Sequence, residues 1–269
     1  MSWERHLDIA TEAALAAGAI LKAYQGESFG IEEKRPGDLV TDADREAEAA
    51  ILRILERHFP QDAILTEEAG TRGQVGSDVL WVIDPLDGTT NFAHRFPSFA
   101  VSIALLVEGD PYIGVVYNPA LEELFRGIRG GGATCNRRPI RVSQTQSLDR
   151  SLLVTGFAYD RRQVRDNNYA EFIHFTHLTQ GVRRVGSAAV DLAYVACGRF
   201  DGYWERGLSP WDMAAGVVLV QEAGGLVTAY DGEKLDLFSG RILASNGWLH
   251  PAMQRELSRI RPLEWQPPQ

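Results

Sequence analysis

The run DPLDGTT at residues 84–90 combines residue types that bind divalent metal ions. It follows the apolar segment 79–83, which is typical of a buried strand. The carboxylates of Asp84 and Asp87 and the carbonyl oxygen of Leu86 are hard oxygen ligands of the kind that Mg²⁺ prefers. Because proline interrupts regular strand geometry and glycine permits a sharp turn, the two carboxylates can converge. The run therefore predicts a Mg²⁺ site at the end of a strand.

The backbone that follows these two acids is suited to binding an anion. Gly88 and Thr89 precede a predicted helix, and amides at the start of a helix form nests for phosphate groups. The sequence thus predicts a metal ion and a phosphate group held side by side. The same composition also fits an ordinary turn, because Pro, Asp and Gly are the usual turn residues.

Four further acids fall where strands end or helices begin. Glu67 and Glu68 follow the strand-like run 63–66, whereas Asp44 and Asp212 lie at the starts of predicted helices. Taken singly, the glutamates fit a solvated loop and the aspartates fit helix caps. Gathered together they would repel, since two like charges ~4 Å apart cost roughly 4 kcal/mol at an effective dielectric of ~20. The set therefore predicts a cleft that holds two or more Mg²⁺ ions.

The first half of the chain must position most of these acids. Apolar residues at helical spacing predict a helix over residues 7–24 and a second over 41–58, where Thr41 and Asp44 have the spacing of a capping box. Strand-like runs separated by turn signals predict an antiparallel meander over residues 98–142.

The second half alternates helices with short strands, which is an α/β pattern. Helices are predicted over 163–180, 187–197, 211–223 and 248–260, and strands over 202–205, 226–230 and 242–245. The composition changes near residue 145, so we expect an α/β protein with two sub-domains in one continuous body. Residues 1–145 form an α+β half with most of the metal ligands, and 146–269 form an α/β half with Asp212.

Composition excludes several classes of protein. Among 269 residues, 45% are hydrophobic and 23% are charged, as in an ordinary globular protein. A net charge of −9 disfavours nucleic acid as a partner, because a phosphate backbone would be repelled. The longest apolar run, 99–107, is far shorter than the ~20 residues that a membrane span requires, so no membrane partner is expected.

The predicted compartment is the cytoplasm. Glu4 and Asp8 fall where a signal peptide would need positive charge. The chain has two cysteines, Cys135 and Cys197, which make no disulfide framework and match a reducing environment. We expect both thiols to be free and buried.

Five segments of the chain, in this order, resemble the inositol monophosphatase family. They are the loop with Lys34 followed by Asp38–Asp44, the pair Glu67–Glu68, the turn Asp84–Thr90, the segment Gly186–Ala189, and the stretch Trp211–Gly225. The resemblance implies a layered αβαβα sugar-phosphatase fold, dependence on Mg²⁺, sensitivity to Li⁺ and a homodimer.

The resemblance also implies a division of labour among the metal ligands. Glu67, Asp84 and the Leu86 carbonyl bind the first Mg²⁺, while Asp84, Asp87 and Asp212 bind the second. Glu67 also contacts a third, weaker ion, so two or three ions are expected.

The remaining implied roles concern the water and the substrate. Thr89, paired with Asp44, orients the attacking water and helps to deprotonate it, and Glu68 supports a cation-coordinated water. The amides of Gly88 and Thr89 hold the phosphate. Glu205, in the second sub-domain, accepts hydrogen bonds from the substrate hydroxyls, and Ala188 lines the same pocket. The connection after Lys34 is one residue shorter than in some relatives, so whether this side chain closes over the site stays open.

The implied reaction is hydrolysis of a small polyol phosphate by two-metal activation of water, with myo-inositol 1-phosphate as the favoured substrate. Histidinol phosphatase, fructose-1,6-bisphosphatase and a non-catalytic regulatory binding protein remain as alternatives. A phosphatase of the haloacid dehalogenase type fits less well. Its motif has one residue between the two aspartates, whereas two residues separate Asp84 from Asp87 here.

Overall fold

The computed structural model describes residues 3–25, 30–35, 38–73 and 78–263. The chain begins with helix α1 (Glu4–Tyr24), whose buried side chains, Ala10, Ala14, Ala17 and Leu21, recur at helical spacing. The predicted helix over 7–24 is therefore confirmed, with one earlier turn added.

A two-stranded hairpin leads into the second helix. Strands β1 (Ile31–Arg35) and β2 (Asp38–Thr41) are antiparallel, and helix α2 (Asp42–His58) follows directly. The predicted capping box is present, because Thr41 N donates to Asp44 Oδ2 at 2.8 Å and the Thr41 hydroxyl accepts from Asp44 N. This cap fixes Asp44 in the first turn of α2.

An eight-stranded sheet forms the next layer. Its strands are β3 (Ala63–Thr66), β4 (Gly70–Arg72), β5 (Val79–Asp87), β6 (Ala100–Val107), β7 (Asp110–Asn118), β8 (Glu123–Ile128), β9 (Gly132–Cys135) and β10 (Arg138–Pro139). Their spatial order is β10-β9-β8-β7-β6-β5-β3-β4. The pair β3–β5 is parallel and β5–β6 is antiparallel, and β6 to β10 form the antiparallel meander predicted over residues 98–142. The short helix α3 (Thr89–Ala93) begins directly after β5.

The second half adds a five-stranded sheet in the order β12-β11-β13-β15-β14. In chain order its elements are β11 (Leu152–Thr155), α4 (Tyr169–Leu178), β12 (Gly181–Arg183), α5 (Ala188–Ala196), β13 (Gly202–Arg206), α6 (Pro210–Glu222), β14 (Leu226–Thr228), β15 (Arg241–Ser245) and α7 (His250–Leu257). The helix predicted from residue 163 begins at Tyr169, because Asn168 has a left-handed backbone with φ 68°.

Three helical layers alternate with the two sheets. Since neighbouring residues of a strand point to opposite faces, Trp81 and Ile83 pack toward α1 and α2 while Val82 packs toward α5 and α6. In the second sheet, Tyr203 faces α5 and α6, and Trp204 faces α4 and α7. The layer order is αβαβα, which confirms the predicted fold.

The predicted boundary at residue 145 falls between β10 and β11, and therefore between the two sheets. The middle core nevertheless contains residues from both sides of it, such as Val82 and Tyr203. The division into 1–145 and 146–269 stays a prediction, and residues 1–2 and 264–269 lie outside the described residues.

Two further expectations concern the membrane and the cysteines. Among the described residues, no helix combines the length and hydrophobicity of a membrane span. Cys135 and Cys197 are free, as predicted, but both are partly exposed, so the expected burial is wrong. Cys135 ends the short strand β9 and Cys197 follows the last turn of α5, and both line an open surface depression.

Candidate metal and substrate site

The sharp turn at the end of β5 carries the first two acids. Pairing of β5 with β6 is regular up to Asp84 and shifts register before Asp87. Leu86 N donates to Asp84 Oδ1 at 2.9 Å, which closes the turn. Gly88 has φ 88°, and a Cβ at this position would lie 3.0 Å from the carbonyl oxygen of Ser98. Glycine is therefore required where the chain turns into α3.

Three buried carboxylates meet at this turn, and we call Asp84, Asp87 and Asp212 the acidic cradle. One carboxylate oxygen from each lies within 4.8 Å of the others. Asp87 Oδ2 accepts hydrogen bonds from the Ser187 hydroxyl and, at 2.8 Å, from Ala189 N at the start of α5. Asp212 lies in the first turn of α6, where its Oδ2 accepts from Ser209 N at 2.7 Å.

Burial and mutual repulsion disturb the ionisation of the cradle. Burial raises the pKa of Asp84 well above its ordinary value, and the charges of Glu67, Asp87 and Asp212 add to this effect. Burial likewise raises the pKa of Asp87 to about 6, against the hydrogen bonds that it accepts. Burial also raises the pKa of Asp212 well above its ordinary value, and the charge of Asp87 is the next largest cause.

This donor set fits a hard divalent cation. All three side chains offer oxygen atoms, all three are crowded by like charge, and a cation would relieve that crowding. The carbonyl oxygen of Leu86 lies at the same turn and accepts from the Thr89 hydroxyl at 3.0 Å. The structure thus brings together four of the five predicted metal ligands.

Glu67, the fifth predicted ligand, stands at the edge of the cradle. It follows β3, and its amide donates to the Ile83 carbonyl of the parallel strand β5 at 3.3 Å. Its carboxylate pairs with Lys34 Nζ at 3.0 Å, and the same ammonium also contacts Glu68. Burial alone would lower the pKa of Lys34, but the two glutamates raise it. Lys34 therefore reaches the site from β1.

Thr89 and Asp44 meet as predicted. The Thr89 hydroxyl lies 3.3 Å from Asp44 Oδ1, and it can donate its proton either there or to the Leu86 carbonyl. Burial raises the pKa of Asp44 to about 7, although the hydrogen bonds from Thr41 act in the opposite direction. The cap of α2 therefore holds a buried carboxylate that can exchange a proton near neutral pH.

A pocket opens beside the cradle and contains the predicted substrate residues. Its lining includes Asp87, Gly88, Ala188, Glu205 and Asp212. Glu205, on β13, accepts a hydrogen bond from the Tyr203 hydroxyl at 2.7 Å, and burial raises its pKa to about 7. A Cβ at Gly156 would lie 2.1 Å from Glu205 Oε2, so any side chain here would displace this carboxylate from its present position.

Several residues of the site were missed by sequence reasoning. They are Ser187, which donates to Asp87, Tyr203, which donates to Glu205, and the pocket residues Arg184, Phe157 and Tyr159. Ser187 caps α5, and its place before a helical run was the available signal. Tyr203 lies two residues before Glu205 on β13, so strand alternation places both side chains on one face. Arg184, Phe157 and Tyr159 carry no local signal, because long-range packing brings them to the pocket.

A model of the inositol monophosphatase family matches residues 2–262. The chain belongs to this family. The inositol-1-monophosphatase of Synechocystis sp. is 62% identical over 94% of this chain and 88% of its own length. The Nus factor SuhB of Pseudomonas aeruginosa is 46% identical over 89% of this chain and 91% of its own. The solved inositol monophosphatase from Anabaena (Nostoc) sp. has a TM-score of 0.91 at 59% identity, covering 98% of this chain and 99% of that one.

These matches confirm the predicted family, the layered fold and the enzyme class, which is phosphatase. They do not favour the alternatives of another substrate within the family or a non-catalytic protein. The family is metal-dependent, in agreement with the acidic cradle. Membership in it also speaks against a haloacid dehalogenase mechanism.

Proposed function

We propose that this phosphatase hydrolyses the phosphate monoester of a small polyol, with myo-inositol 1-phosphate as the main substrate, to the free polyol and phosphate. The observation that carries the proposal is the acidic cradle beside a pocket that contains Glu205. The 62% identical relative is named inositol-1-monophosphatase, which supports the same substrate.

Two or three Mg²⁺ ions are the proposed cofactor. Glu67, Asp84 and the Leu86 carbonyl would hold one ion, the acidic cradle would hold the second, and Glu67 would also contact any third. Bound ions supply positive charge that acidifies the attacking water and neutralises the leaving oxygen. Inhibition by Li⁺ is expected at the same ligands.

The residues of the chain then position the reacting groups. The Thr89 hydroxyl accepts a hydrogen bond from the attacking water and donates its own proton toward Asp44 Oδ1, 3.3 Å away. Because the pKa of Asp44 is raised to about 7, this carboxylate can accept a proton near neutral pH. Glu68, next to Glu67, supports the same water network. The amides of Gly88 and Thr89, at the start of α3, face the phosphate.

The leaving group binds on the other side of the pocket. Glu205 accepts hydrogen bonds from polyol hydroxyls, and the small side chain of Ala188 leaves room for the ring. The Glu205 carboxylate can accept hydrogen bonds from the hydroxyls of an inositol ring, and the name of the 62% identical relative favours inositol phosphate over histidinol phosphate. We further propose that the enzyme works in the cytoplasm as a homodimer.

The test is phosphate release from a panel of esters, with Mg²⁺, with EDTA and with added Li⁺. The panel contains myo-inositol 1-phosphate, histidinol phosphate, fructose 1,6-bisphosphate, 3′-phosphoadenosine 5′-phosphate and NADP. We expect strong Mg²⁺-dependent, Li⁺-sensitive release from inositol phosphate. Preference for any other ester would overturn the proposed substrate, and release that persists in EDTA would overturn the proposed cofactor.

A further inference from the structure

Arg184 lies at the substrate pocket, although no motif marks it. It stands between β12 and α5 and lines the pocket together with Asp87, Ala188 and Glu205. Its guanidinium folds back over Gly186, where a Cβ would lie 2.4 Å from Arg184 Nη1. The absence of a side chain at Gly186 therefore leaves room for the guanidinium beside the pocket.

The hydrogen-bond donors of Arg184 are unused within the part of the chain that the structure describes, where it has no hydrogen bond or ion pair. Other cations near the pocket are engaged. Arg206, next to Glu205 in sequence, donates to both carboxylate oxygens of Asp160 at 2.8 Å, and Lys34 pairs with Glu67. Arg184 lines the pocket and is exposed to solvent, so its donors are free to bind a ligand there.

The charge of Arg184 acts on the same part of the pocket as Glu205. Burial raises the pKa of Glu205, and the positive charge of Arg184 opposes this rise. It acts in the same direction on Asp191, a buried carboxylate of α5 that lies near Glu205. An unpaired guanidinium and a carboxylate on one pocket surface can serve a donor and an acceptor of one ligand at once.

Neighbouring hydroxyls of a polyol offer both kinds of partner, because each hydroxyl donates one hydrogen bond and accepts others. We propose that Arg184 is a specificity-determining residue whose guanidinium donates hydrogen bonds to hydroxyl oxygens of the polyol leaving group, while Glu205 accepts from adjacent hydroxyls. This inference rests on the proposed function, since it names a side chain that binds the alcohol part of the same phosphate ester.

The experiment compares Arg184→Met with Arg183→Met, its matched control. Arg183 is adjacent and, like Arg184, exposed, but it is not part of the pocket lining. The Mg²⁺-loaded variants are assayed with myo-inositol 1-phosphate and with p-nitrophenyl phosphate, whose leaving group lacks neighbouring hydroxyls. Inhibition by free myo-inositol reports polyol binding without turnover. Thermal unfolding verifies that both variants are folded.

For Arg184→Met we expect KM for inositol phosphate and the inhibition constant of myo-inositol to rise at least about tenfold, the loss typical of a hydrogen bond to a charged group. Hydrolysis of p-nitrophenyl phosphate should change less than about twofold, and Arg184→Lys should recover part of the loss because it keeps a charged donor. Arg183→Met should match the wild type on both esters.

Two results would overturn the inference. Equal losses on both esters would place Arg184 at the phosphate, and unchanged kinetics and inhibition would leave it without a role in recognition. The proposed function can fail separately, when the wild type releases phosphate from another polyol ester and not from inositol phosphate. The same pair of variants on that ester would then decide the role of Arg184.

Discussion

Two buried polar regions of this molecule have opposite character. The acidic cradle brings three carboxylates within 4.8 Å, and each increases the cost of ionising the others. The second region, which we call the Asn168 network, consists of Asn168, Thr155, Gly156 and Trp204. Asn168 Nδ2 donates to Thr155 Oγ1 at 2.8 Å and to the Gly156 carbonyl at 2.6 Å, and Trp204 Nε1 donates to Asn168 Oδ1 at 2.7 Å.

The comparison shows that the buried groups that stabilise the fold differ from those that the function requires. A buried network whose donors and acceptors are all paired holds its elements in one arrangement. A buried group of like charges lowers the stability of the metal-free protein and acquires partners only when a cation binds. The acidic cradle is locally unfavourable in the metal-free protein, and the rest of the structure offsets its energetic cost, as expected of a functional site.

The largest expected effect is on activity, in Asp87→Asn. Losing one charge from the cradle should lower Mg²⁺-dependent turnover about 10³-fold or more, because cation affinity and charge stabilisation fall together. In EDTA the Tm of the variant should equal or exceed that of the wild type, since one of three like charges is gone. Phosphate release and thermal unfolding measure the two effects.

Mg²⁺ supplies the control for this prediction. Binding at 100 times Kd stabilises a folded protein by about 2.7 kcal/mol, so the wild-type Tm should rise on adding Mg²⁺. Asp149→Asn, at an exposed position, should keep both this rise and the activity. An equal rise in Asp87→Asn, or near-normal turnover, would show that Asp87 does not hold the cation.

The second effect is on stability, in Asn168→Ala. Truncation removes the side-chain partner of the Gly156 carbonyl and of Trp204 Nε1, while the Thr155 hydroxyl keeps its hydrogen bond to the Trp204 carbonyl. We expect a loss of about 2–4 kcal/mol in the free energy of unfolding. Below the unfolding temperature, activity should fall less than about tenfold. Urea titration and phosphate release test the pair of expectations.

Asn168 also has a left-handed backbone, with φ 68°, which alanine tolerates poorly. Asn168→Gly removes the same hydrogen bonds without that strain and separates the two causes. If both variants kept wild-type stability, the network would not hold the fold, and the contrast with the cradle would disappear.

The two regions also differ in how far the sequence predicts them. The metal turn was predictable because Asp84, Leu86, Asp87 and Gly88 are neighbours in the chain, and their residue types specify a turn with oxygen ligands. Asp212 joins them through the packing of α6 on the first sheet. Its position at a helix start made it a candidate for the cleft, whereas its assignment to the second Mg²⁺ depended on the family resemblance.

No local sequence pattern predicted the Asn168 network or the position of Arg184 at the pocket. Asn168 lies inside a stretch that was predicted to be helical, and its left-handed backbone is what delays the start of α4. Its partners lie on β11 and β13, which become neighbours only when the second sheet forms. Periodicity therefore predicted most elements, whereas hydrogen bonds between distant segments required the structure.

The third expected effect is on the Mg²⁺ affinity at Glu67, which lies at the edge of the acidic cradle. Lys34 pairs with Glu67, a proposed ligand of the first Mg²⁺, so its ammonium competes with the metal ion. Lys34→Met should raise Mg²⁺ affinity by several-fold, as expected for a partly exposed ion pair worth about 1 kcal/mol or less. Isothermal titration of the metal-free protein measures this.

Lys22→Met is the matched control, because Lys22 pairs with Glu122 on the surface. It should leave Mg²⁺ affinity unchanged. Weaker Mg²⁺ binding in Lys34→Met would contradict competition and would show instead that the β1–β2 hairpin supports the bound ion.

The smallest expected effect is on the pH dependence of stability, in which the buried groups of His250 and Asp87 act in opposite directions. His250 is buried, with Nδ1 2.9 Å from Ser245 Oγ and Nε2 2.8 Å from Thr228 Oγ1, and burial lowers its pKa to about 4. Between about 4 and the ordinary value of 6.5 the unfolded chain binds a proton that the folded protein does not, so His250 lowers stability as the pH falls through this window. Asp87 acts in the opposite direction, because its pKa is raised to about 6 and the folded protein binds the extra proton.

In EDTA, therefore, His250→Gln should lose less Tm than the wild type on acidification from neutral pH toward pH 5, whereas Asp87→Asn should lose more. We expect differences of a few degrees, read from thermal unfolding at a series of pH values in one buffer system. Parallel curves for the wild type and both variants would mean that neither group sets the pH dependence. A steeper loss in His250→Gln would reverse the sign and show that His250 is charged in the folded protein.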